Sequence, residues 1–301
     1  HQINETFAAP SFVSKPLREI IVEKTDETMN KLWDWANYGI SPSSLVNYLR
    51  NPLEFYEQRI FNVKEVEEAE ELVSARTLGN IVHGALEDLY QPYLNQILTE
   101  SDFKLINSKK EQTLQTHFSQ EYKDGLLDKG PNYLTYKIAE RIVDGVLEKD
   151  LKTAKESELI IKSLESQHEI EFTLTNGKKV KLKGVIDRID SVNNQIRIID
   201  YKTGSTKDIA VNSNDIETVY QNKDKDKQLQ LIFYAHLFYN EPTNQQEKVE
   251  LCIYPIKFPK KEMHKLKFDK ETVIDSSIVE ISKEPMSVLI EEILNQKIPF
   301  K

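Results

Sequence analysis

The chain has 301 residues, of which 39% are hydrophobic and 30% are charged, and its formal net charge is −9. This composition is typical of a soluble globular protein and excludes a disordered or fibrous one. A nucleic-acid-binding protein that relies on a general positive field is usually basic, so the negative charge counts modestly against that class. No apolar run approaches the roughly 18 residues that a membrane-spanning helix needs.

The N-terminal residues and the cysteine content indicate a reducing compartment. The segment His1–Pro10 has neither the basic flank nor the apolar core of a signal peptide. Cys252 is the single cysteine, which excludes an internal disulfide and a metal site built from several cysteines. We therefore expect a cytoplasmic protein. Because the chain opens without methionine and with a loose polar segment, we also expect it to be a piece of a longer protein.

The first half of the chain carries the signals of helices. Residues 1–40 are poorly patterned, and only Met29–Trp35 is predicted to form a short helix. Ser41 followed by Pro42 predicts a helix start, because serine caps the free N–H groups and proline fits the first helical position. Asn51-Pro52 predicts the end of that helix.

Helical patterning continues after an acidic run. The run Glu65–Glu71 is interpreted as a solvated face. Apolar residues at helical spacing then predict a long helix over about 74–98. Two further helices are predicted at about 108–127 and 133–156.

The segment Glu169–Lys202 is the strongest β region of the chain. Apolar and polar residues alternate along it, which is the pattern of half-buried strands. Asn176-Gly177 predicts a hairpin with a type I′ turn. The third strand of this region is predicted to end at Thr203-Gly204-Ser205.

The remaining elements complete a mixed architecture. A helix at about 227–240, a strand at Val249–Ile256 and a helix at about 285–296 are predicted. Helices are thus followed by a β meander and then by helix, strand and helix. This order predicts one α/β domain with helices around a central mixed sheet. We assign it to residues 41–301, preceded by a poorly patterned extension over 1–40.

Two aspartates and a lysine lie in the second and third predicted strands. Asp200 and Lys202 are two residues apart, so their side chains leave the strand on the same face. A two-residue turn at Asn193-Asn194 would place Asp187 directly opposite Asp200. Like charges in that arrangement are destabilising unless a divalent cation lies between them.

Carboxylate oxygens are the ligands that Mg²⁺ and Mn²⁺ prefer. Such an ion lowers the pKa of a bound water and stabilises the charge that develops in phosphodiester hydrolysis. Lys202 would orient the attacking water or help to neutralise the phosphate. The alternative for such a pattern, an exposed hairpin with surface Asp and Lys, is the commoner one for arbitrary sequences. Here the aspartates lie among apolar residues at the inner ends of two strands, which favours a site.

His83 is a further candidate ligand. It lies on the long predicted helix, with Glu87 one turn later on the same face. A lone helical histidine is more often a packed or surface residue than a ligand, so its position alone does not support a metal site.

Five motifs together resemble the RecB-like branch of the PD-(D/E)xK nucleases, which includes the nuclease domains of bacterial helicase–nuclease complexes. In chain order they are Ser41–Leu45 with Asn51–Tyr56, Gly79–Glu87, Gly184–Asp190, Asp200–Gly204, and Gln230–Tyr234. The resemblance extends over about 41–258. It implies a restriction-endonuclease-like core with helical additions.

The resemblance assigns roles that spacing alone does not. It implies that His83, Asp187 and Asp200 are metal ligands for Mg²⁺ or Mn²⁺. The carbonyl of Tyr201 is expected to join them. Lys202 is implied to be the catalytic lysine.

Four other residues have implied roles with alternatives. Gln230 and Tyr234, one helical turn apart, would support the site or the DNA strand. The alternative for this pair is an amphipathic helix beside the sheet. Either Glu169 or Glu171 is expected as an additional acidic residue of the site.

One departure from the family concerns an iron–sulfur cluster. Several relatives bind one through cysteines, of which one precedes the proline of the N-terminal signature. That position is Asn51 here, and Cys252 is the single cysteine. Four thiolates are normally required, so we expect no cluster.

These inferences predict a Mg²⁺- or Mn²⁺-dependent deoxyribonuclease. The resemblance further implies an exonuclease that acts on single strands or duplex ends in DNA repair, recombination or end processing. The alternative is a catalytically silent, nuclease-like module that binds DNA or scaffolds a helicase partner. A third function, on an unrelated phosphodiester or nucleotide, stays open because a fold does not fix a function.

Lysines near the predicted site offer a path for DNA. Alternation along the second strand puts Lys179, Lys181 and Lys183 on the face of Asp187 and Lys178 on the other. A second group of lysines precedes the last motif: Lys223, Lys225 and Lys227. The prediction is a local phosphate track, and the alternative is that these lysines only solubilise a hairpin and a loop.

Overall fold

The computed structural model describes residues 20–61, 75–121, 130–202, 209–258 and 261–301. The acidic run Glu65–Glu71 and the strand end predicted at Thr203-Gly204-Ser205 lie outside these ranges. Within them, no helix is both long and apolar enough to cross a membrane.

Helices fill the first half of the described chain. They are α1 (Asp26–Tyr38), α2 (Pro42–Arg50), α3 (Pro52–Phe55), α4 (Ala75–Tyr90), α5 (Glu100–Glu121) and α6 (Gly130–Glu156). The start of α2 is as predicted: the Ser41 side chain accepts the N–H of Ser44 at 3.3 Å and Pro42 is the first helical residue. Asn51 ends α2 and caps α3.

The sheet has five strands in the order β1 (Leu159–Thr173), β2 (Lys179–Val192), β3 (Gln195–Tyr201), β5 (Val249–Tyr254) and β6 (His264–Lys265). The strands β1, β2 and β3 pair antiparallel, β3 and β5 pair parallel, and β6 is antiparallel to β5. Two short strands, β4 (Ala210–Val211) and β7 (Lys267–Phe268), form a separate parallel pair.

Two more helices lie in the second half of the chain, α7 (Asp226–Tyr239) and α8 (Ser277–Ile293). Because β3 and β5 run parallel, the chain must cross over between them, and α7 lies in that crossover.

Buried side chains form one core on each side of the sheet. The first joins strand residues to α1, α2, α7 and α8 and includes Leu182, Ile198 and Phe233. The second joins the sheet to α4, α5 and α6 and includes Ile199 and Tyr254. The predicted α/β fold, a mixed sheet flanked by helices, is confirmed.

Four predicted element boundaries are wrong. The helix predicted at about 108–127 begins at Glu100. The helix predicted over 74–98 ends at Tyr90, where a 3₁₀ turn containing Pro92 follows. The first strand begins at Leu159, ten residues before the predicted β region, and its ladder shifts register between Ile161 and Ser163, which weakens the alternation there. The last helix begins at Ser277 and carries Pro285 inside it.

The first hairpin exists, but its predicted turn type is wrong. A type I′ turn needs positive φ at both central residues, whereas Gly177 has φ 80° and Asn176 is not in that region. The Gly177 N–H is bonded to the Leu174 carbonyl at 3.0 Å, and the Leu174 N–H to the Lys178 carbonyl at 2.8 Å. The loop is therefore a three-residue turn closed by a glycine in the left-handed region.

Candidate active site

The turn between β2 and β3 sets the position of the two aspartates. Asn193 and Asn194 have φ values of 50° and 66°, as a two-residue turn with right-handed strand twist requires. The register that follows pairs Arg188 with Ile199, so Asp187 and Asp200 are the next opposed residues, as predicted. One carboxylate oxygen of Asp187, Oδ2, accepts the backbone N–H of Tyr201 at 2.7 Å.

The two carboxylates disfavour each other's charge. Burial raises the pKa of Asp187 to about 7, and the nearby carboxylate of Asp200 adds to the effect. Burial also raises the pKa of Asp200, although the Lys202 ammonium opposes that shift. A pair of this kind is destabilising without a cation to offset it.

His83 reaches the aspartates from α4. Its Nδ1 lies 3.0 Å from Glu165 Oε1 and 4.0 Å from Asp187 Oδ1. Burial lowers the pKa of His83, but the Glu165 hydrogen bond and the surrounding carboxylates outweigh it and raise the pKa above its usual value. The ring packs edge-on against Tyr201, with centroids 5.4 Å apart. His83 of α4 thus lies close to both Glu165 of β1 and Asp187 of β2.

Glu165 is the acidic residue that sequence reasoning missed. It lies on β1 between the pairs Leu164–Arg188 and Ser166–Ile186, across from Asp187. Its φ of 42° is uncommon for a residue other than glycine, and the ladder does not pair it.

The two predicted alternatives do not join the cluster. Glu169 and Glu171 are exposed, and each forms an ion pair of 2.6 Å with a lysine on β2, Lys181 and Lys179 respectively. The register of the observed three-residue hairpin places Glu165 opposite Asp187, whereas the two-residue turn predicted at Asn176-Gly177 would have placed Ser166 there.

The donor set fits a divalent metal ion. Within the described residues, ligand atoms of His83, Glu165 and Asp187 all lie within 4.8 Å of one another. Asp200 is not in that group, yet its buried Oδ2 accepts no hydrogen bond, although Lys202 Nζ lies 2.9 Å away. Carboxylate oxygens with one imidazole suit Mg²⁺ or Mn²⁺ better than a soft metal.

A hydrogen-bonded chain connects Asp200 to α7. Lys202 Nζ donates to Asp200 Oδ1 at 3.0 Å, and Tyr234 Oη donates to the same oxygen at 3.5 Å. Gln230 Nε2 in turn donates to Tyr234 Oη at 2.8 Å. The structure therefore brings Gln230 and Tyr234 to the carboxylates, rather than leaving them only as a packing face.

A comparison with known families agrees with this geometry. The family model of the PD-(D/E)XK nuclease superfamily matches residues 39–301. The chain belongs to the PD-(D/E)XK nuclease superfamily. No curated protein matches the chain.

Within this nuclease fold, neighbouring carboxylates keep Lys202 protonated in spite of its burial. Burial lowers the pKa of its ammonium, but Asp200 outweighs it and Asp187 and Asp226 add smaller contributions, so the pKa is raised. Burial raises the pKa of Tyr234, which therefore stays a hydrogen-bond donor. Both groups present protons, not lone pairs, to the space beside Asp200.

A network of buried ion pairs lies next to the nuclease site. Arg188, which follows Asp187 and is fully buried, pairs with Asp150 and Asp190 at 2.6 Å each. Asp190 also pairs with Arg197 at 2.7 Å. Arg188 Nη1 donates to the Tyr201 hydroxyl at 3.4 Å. Since buried charges are tolerated when they are paired, this balanced network fixes β2 and β3 next to the site.

Gly184 in the same motif allows α7 to approach β2. A Cβ atom at Gly184 would lie 2.9 Å from Leu237 Cδ1 and 3.7 Å from Tyr234 Cε1. The absence of a side chain therefore sets how closely Leu237 comes to the sheet, whereas Tyr234 would be in ordinary contact. This accounts for the glycine by packing, since it has no positive φ.

The hairpin lysines form ion pairs or cation–π contacts with neighbouring side chains. Lys179 and Lys181 are exposed and lie on the same face of β2 as Asp187, as the alternation predicted, but each is paired with a glutamate of β1. Lys183 Nζ lies 3.5 Å from the centroid of the Tyr38 ring, and Lys178 Nζ lies 4.6 Å from that of Trp33. The predicted phosphate track stays a prediction, and these contacts favour its alternative.

Proposed function

We propose that this chain is a Mg²⁺- or Mn²⁺-dependent deoxyribonuclease of the RecB-like branch. It acts as an exonuclease on single strands or duplex ends, in repair, recombination or end processing in the cytoplasm. The observation that carries the proposal is the convergence of His83, Glu165 and Asp187 beside the Asp200–Lys202 pair. Membership of the nuclease superfamily supports the reaction class.

In this proposal His83, Glu165, Asp187 and Asp200 hold the cation, with the Tyr201 carbonyl as a further ligand. The ion supplies Lewis-acid stabilisation of the phosphoryl group and a bound water of lowered pKa. The described contact of Tyr201 with the site is its N–H, which fixes Asp187 Oδ2 and leaves Oδ1 directed towards His83.

The side chains next to Asp200 would act on the phosphate. Lys202 is held protonated within 3.0 Å of Asp200, so it is placed to orient the attacking water or to neutralise negative charge on a phosphoryl oxygen. Tyr234 and Gln230 donate in sequence towards Asp200 and keep its carboxylate in one orientation.

A digestion assay tests the proposal. End-labelled single-stranded and blunt duplex DNA are incubated with the protein in Mg²⁺, in Mn²⁺ and in EDTA. We expect metal-dependent loss of label from the ends, inhibition by EDTA, and no cleavage by the Lys202→Ala variant. Lys155→Ala is the matched control, because that exposed lysine is paired with Glu100 and belongs to none of the predicted DNA contacts.

The alternative is a nuclease-like module that binds DNA or scaffolds a helicase partner without cutting. The presence of His83, Asp187, Asp200 and Lys202 disfavours it, because silent modules arise by loss of such residues. DNA binding without cleavage in either metal would support this alternative. A circular substrate distinguishes the proposed exonuclease from an endonuclease, which would cut it.

A further inference from the structure

An ion pair between α2 and α7 lies beside the proposed site and takes no part in the chemistry above. Arg50 is the last residue of α2, and its Nη2 lies 2.5 Å from Asp226 Oδ2. Asp226 is the first residue of α7, and Lys227 Nζ lies 3.8 Å from its other oxygen. One carboxylate thus faces two cations, which leaves a net positive charge at this point.

These three side chains are accessible to a ligand. The Arg50 side chain is 54% exposed, that of Asp226 is 23% exposed and that of Lys227 is 28% exposed. Their exposure contrasts with that of the buried network around Arg188, whose side chain is 0% exposed and closed to solvent. A group entering from solution can therefore exchange with Asp226.

The Arg50–Asp226 pair lies on the face of α7 that also carries the residues hydrogen-bonded towards Asp200. Asp226, Gln230 and Tyr234 recur every four residues, so they form one stripe along α7. Tyr234 contacts Asp200, and Asp226 lies eight residues before Tyr234, which is about 12 Å along the helix axis. That distance is roughly two phosphate spacings of an extended strand. The charge of Asp226 also reaches Lys202.

The chemistry of the two cations suits a phosphate. A guanidinium donates through several N–H groups in a planar fork that matches phosphate oxygens. Arg50 has one described carboxylate oxygen as its partner, so the other donors of the fork remain available to such a ligand. By contrast, the hairpin lysines are already paired with Glu169 and Glu171.

We propose that Arg50 and Lys227 bind a backbone phosphate of the DNA strand, roughly two phosphates away from the scissile one. Asp226 occupies the place of that phosphate in the free protein and gives it up when DNA enters. This subsite rests on the proposed deoxyribonuclease function. In this subsite the Asp226 carboxylate competes with the DNA phosphate and therefore limits the affinity for nucleic acid.

Two variants with opposite expected effects test the subsite. In Arg50→Gln the affinity for a labelled single-stranded oligonucleotide in EDTA falls about tenfold, and the log–log salt slope decreases by about 0.7, because one phosphate contact is lost. In Asp226→Asn the affinity rises severalfold and the slope steepens. Lys155→Gln, at an exposed lysine paired with Glu100 at 3.2 Å, is the matched control and changes neither quantity. In Mg²⁺, Arg50→Gln raises KM and Asp226→Asn lowers it, and both leave kcat at saturating DNA nearly unaltered.

The proposal requires opposite shifts in affinity, and any other combination contradicts it. Arg50 and Asp226 form a partly exposed ion pair that contributes little to stability, so melting temperatures are expected to stay near that of the wild type. If the wild type binds no DNA, the proposed function and the subsite fail together. If the wild type cleaves DNA while Arg50→Gln and Asp226→Asn behave as Lys155→Gln does, the subsite alone is wrong.

Discussion

Replacing Asp187 by asparagine is expected to stabilise the protein in the absence of metal. The carboxylate of Asp187 is buried, lies opposite Asp200 and has its pKa raised from 3.8 to about 7. Each pKa unit corresponds to about 1.4 kcal/mol, so a charged Asp187 lowers the free energy of unfolding by up to about 4 kcal/mol at pH 8. Asparagine keeps an oxygen for the Tyr201 N–H and removes the charge. We expect a gain of about 2–4 kcal/mol, or about 4–8 °C in Tm.

The gain must depend on pH with a defined sign. Because the folded-state pKa of Asp187 is raised, the native protein binds the extra proton, and stability is lost as pH rises through about 7. The advantage of Asp187→Asn is therefore complete at pH 8 and disappears near pH 4. Urea unfolding in EDTA at several pH values measures it.

Two controls separate this effect from a general response to mutation. Asp190 lies three residues later on the same strand, and Arg188 and Arg197 hold its pKa low in spite of its burial. Asp190→Asn removes the carboxylate paired with Arg197 and one of the two paired with Arg188, and should destabilise the protein by about 3 kcal/mol. Mg²⁺ should stabilise the wild type, by about 2.7 kcal/mol at a hundred times its Kd, and Asp187→Asn far less. A loss of stability in Asp187→Asn at pH 8 in EDTA would refute the reasoning.

Three further predictions concern single side chains. Lys202→Ala should lower the cleavage rate about a hundredfold or more, measured on single-stranded DNA, while circular dichroism shows a retained fold. Gly184→Val should destabilise the protein by about 1–3 kcal/mol and slow cleavage, since the new side chain presses on α7 near Tyr234; an unchanged melting curve would contradict the packing argument. Burial lowers the pKa of His236 to about 3. Stability should therefore fall by up to about 1.4 kcal/mol per pH unit below about pH 6.5, and less steeply in His236→Gln.

The parts of the site that follow from local signals could be predicted. Two adjacent asparagines accept positive φ, and this fixed the β2–β3 register that places Asp187 opposite Asp200. Helical spacing placed Gln230 and Tyr234 on one face of α7. The prediction of a site therefore needed only one hairpin and one helix.

The prediction of the additional acidic residue failed because that residue depends on an irregularity in β1. Glu165 joins His83 because β1 extends back to Leu159 and because its backbone adopts φ 42°. Neither property has a signal in residue type, since the apolar alternation of β1 is interrupted by the register shift after Ile161. Regular alternation favoured Glu169 and Glu171, which lie on the part of the strand that pairs with the hairpin lysines.

The net charge of −9 is a weak argument against nucleic-acid binding, because it counts charges without their positions. Several acidic residues are offset within the fold: Asp150 and Asp190 by Arg188 and Arg197, and Glu169 and Glu171 by Lys181 and Lys179. In the proposed holoenzyme a divalent cation would further offset the carboxylates at the site. In the proposed subsite the cations that meet the DNA strand are Arg50 and Lys227, of which Arg50 is the more exposed. An acidic chain can therefore bind a polyanion, provided that its negative charges are already neutralised within the fold or by the metal.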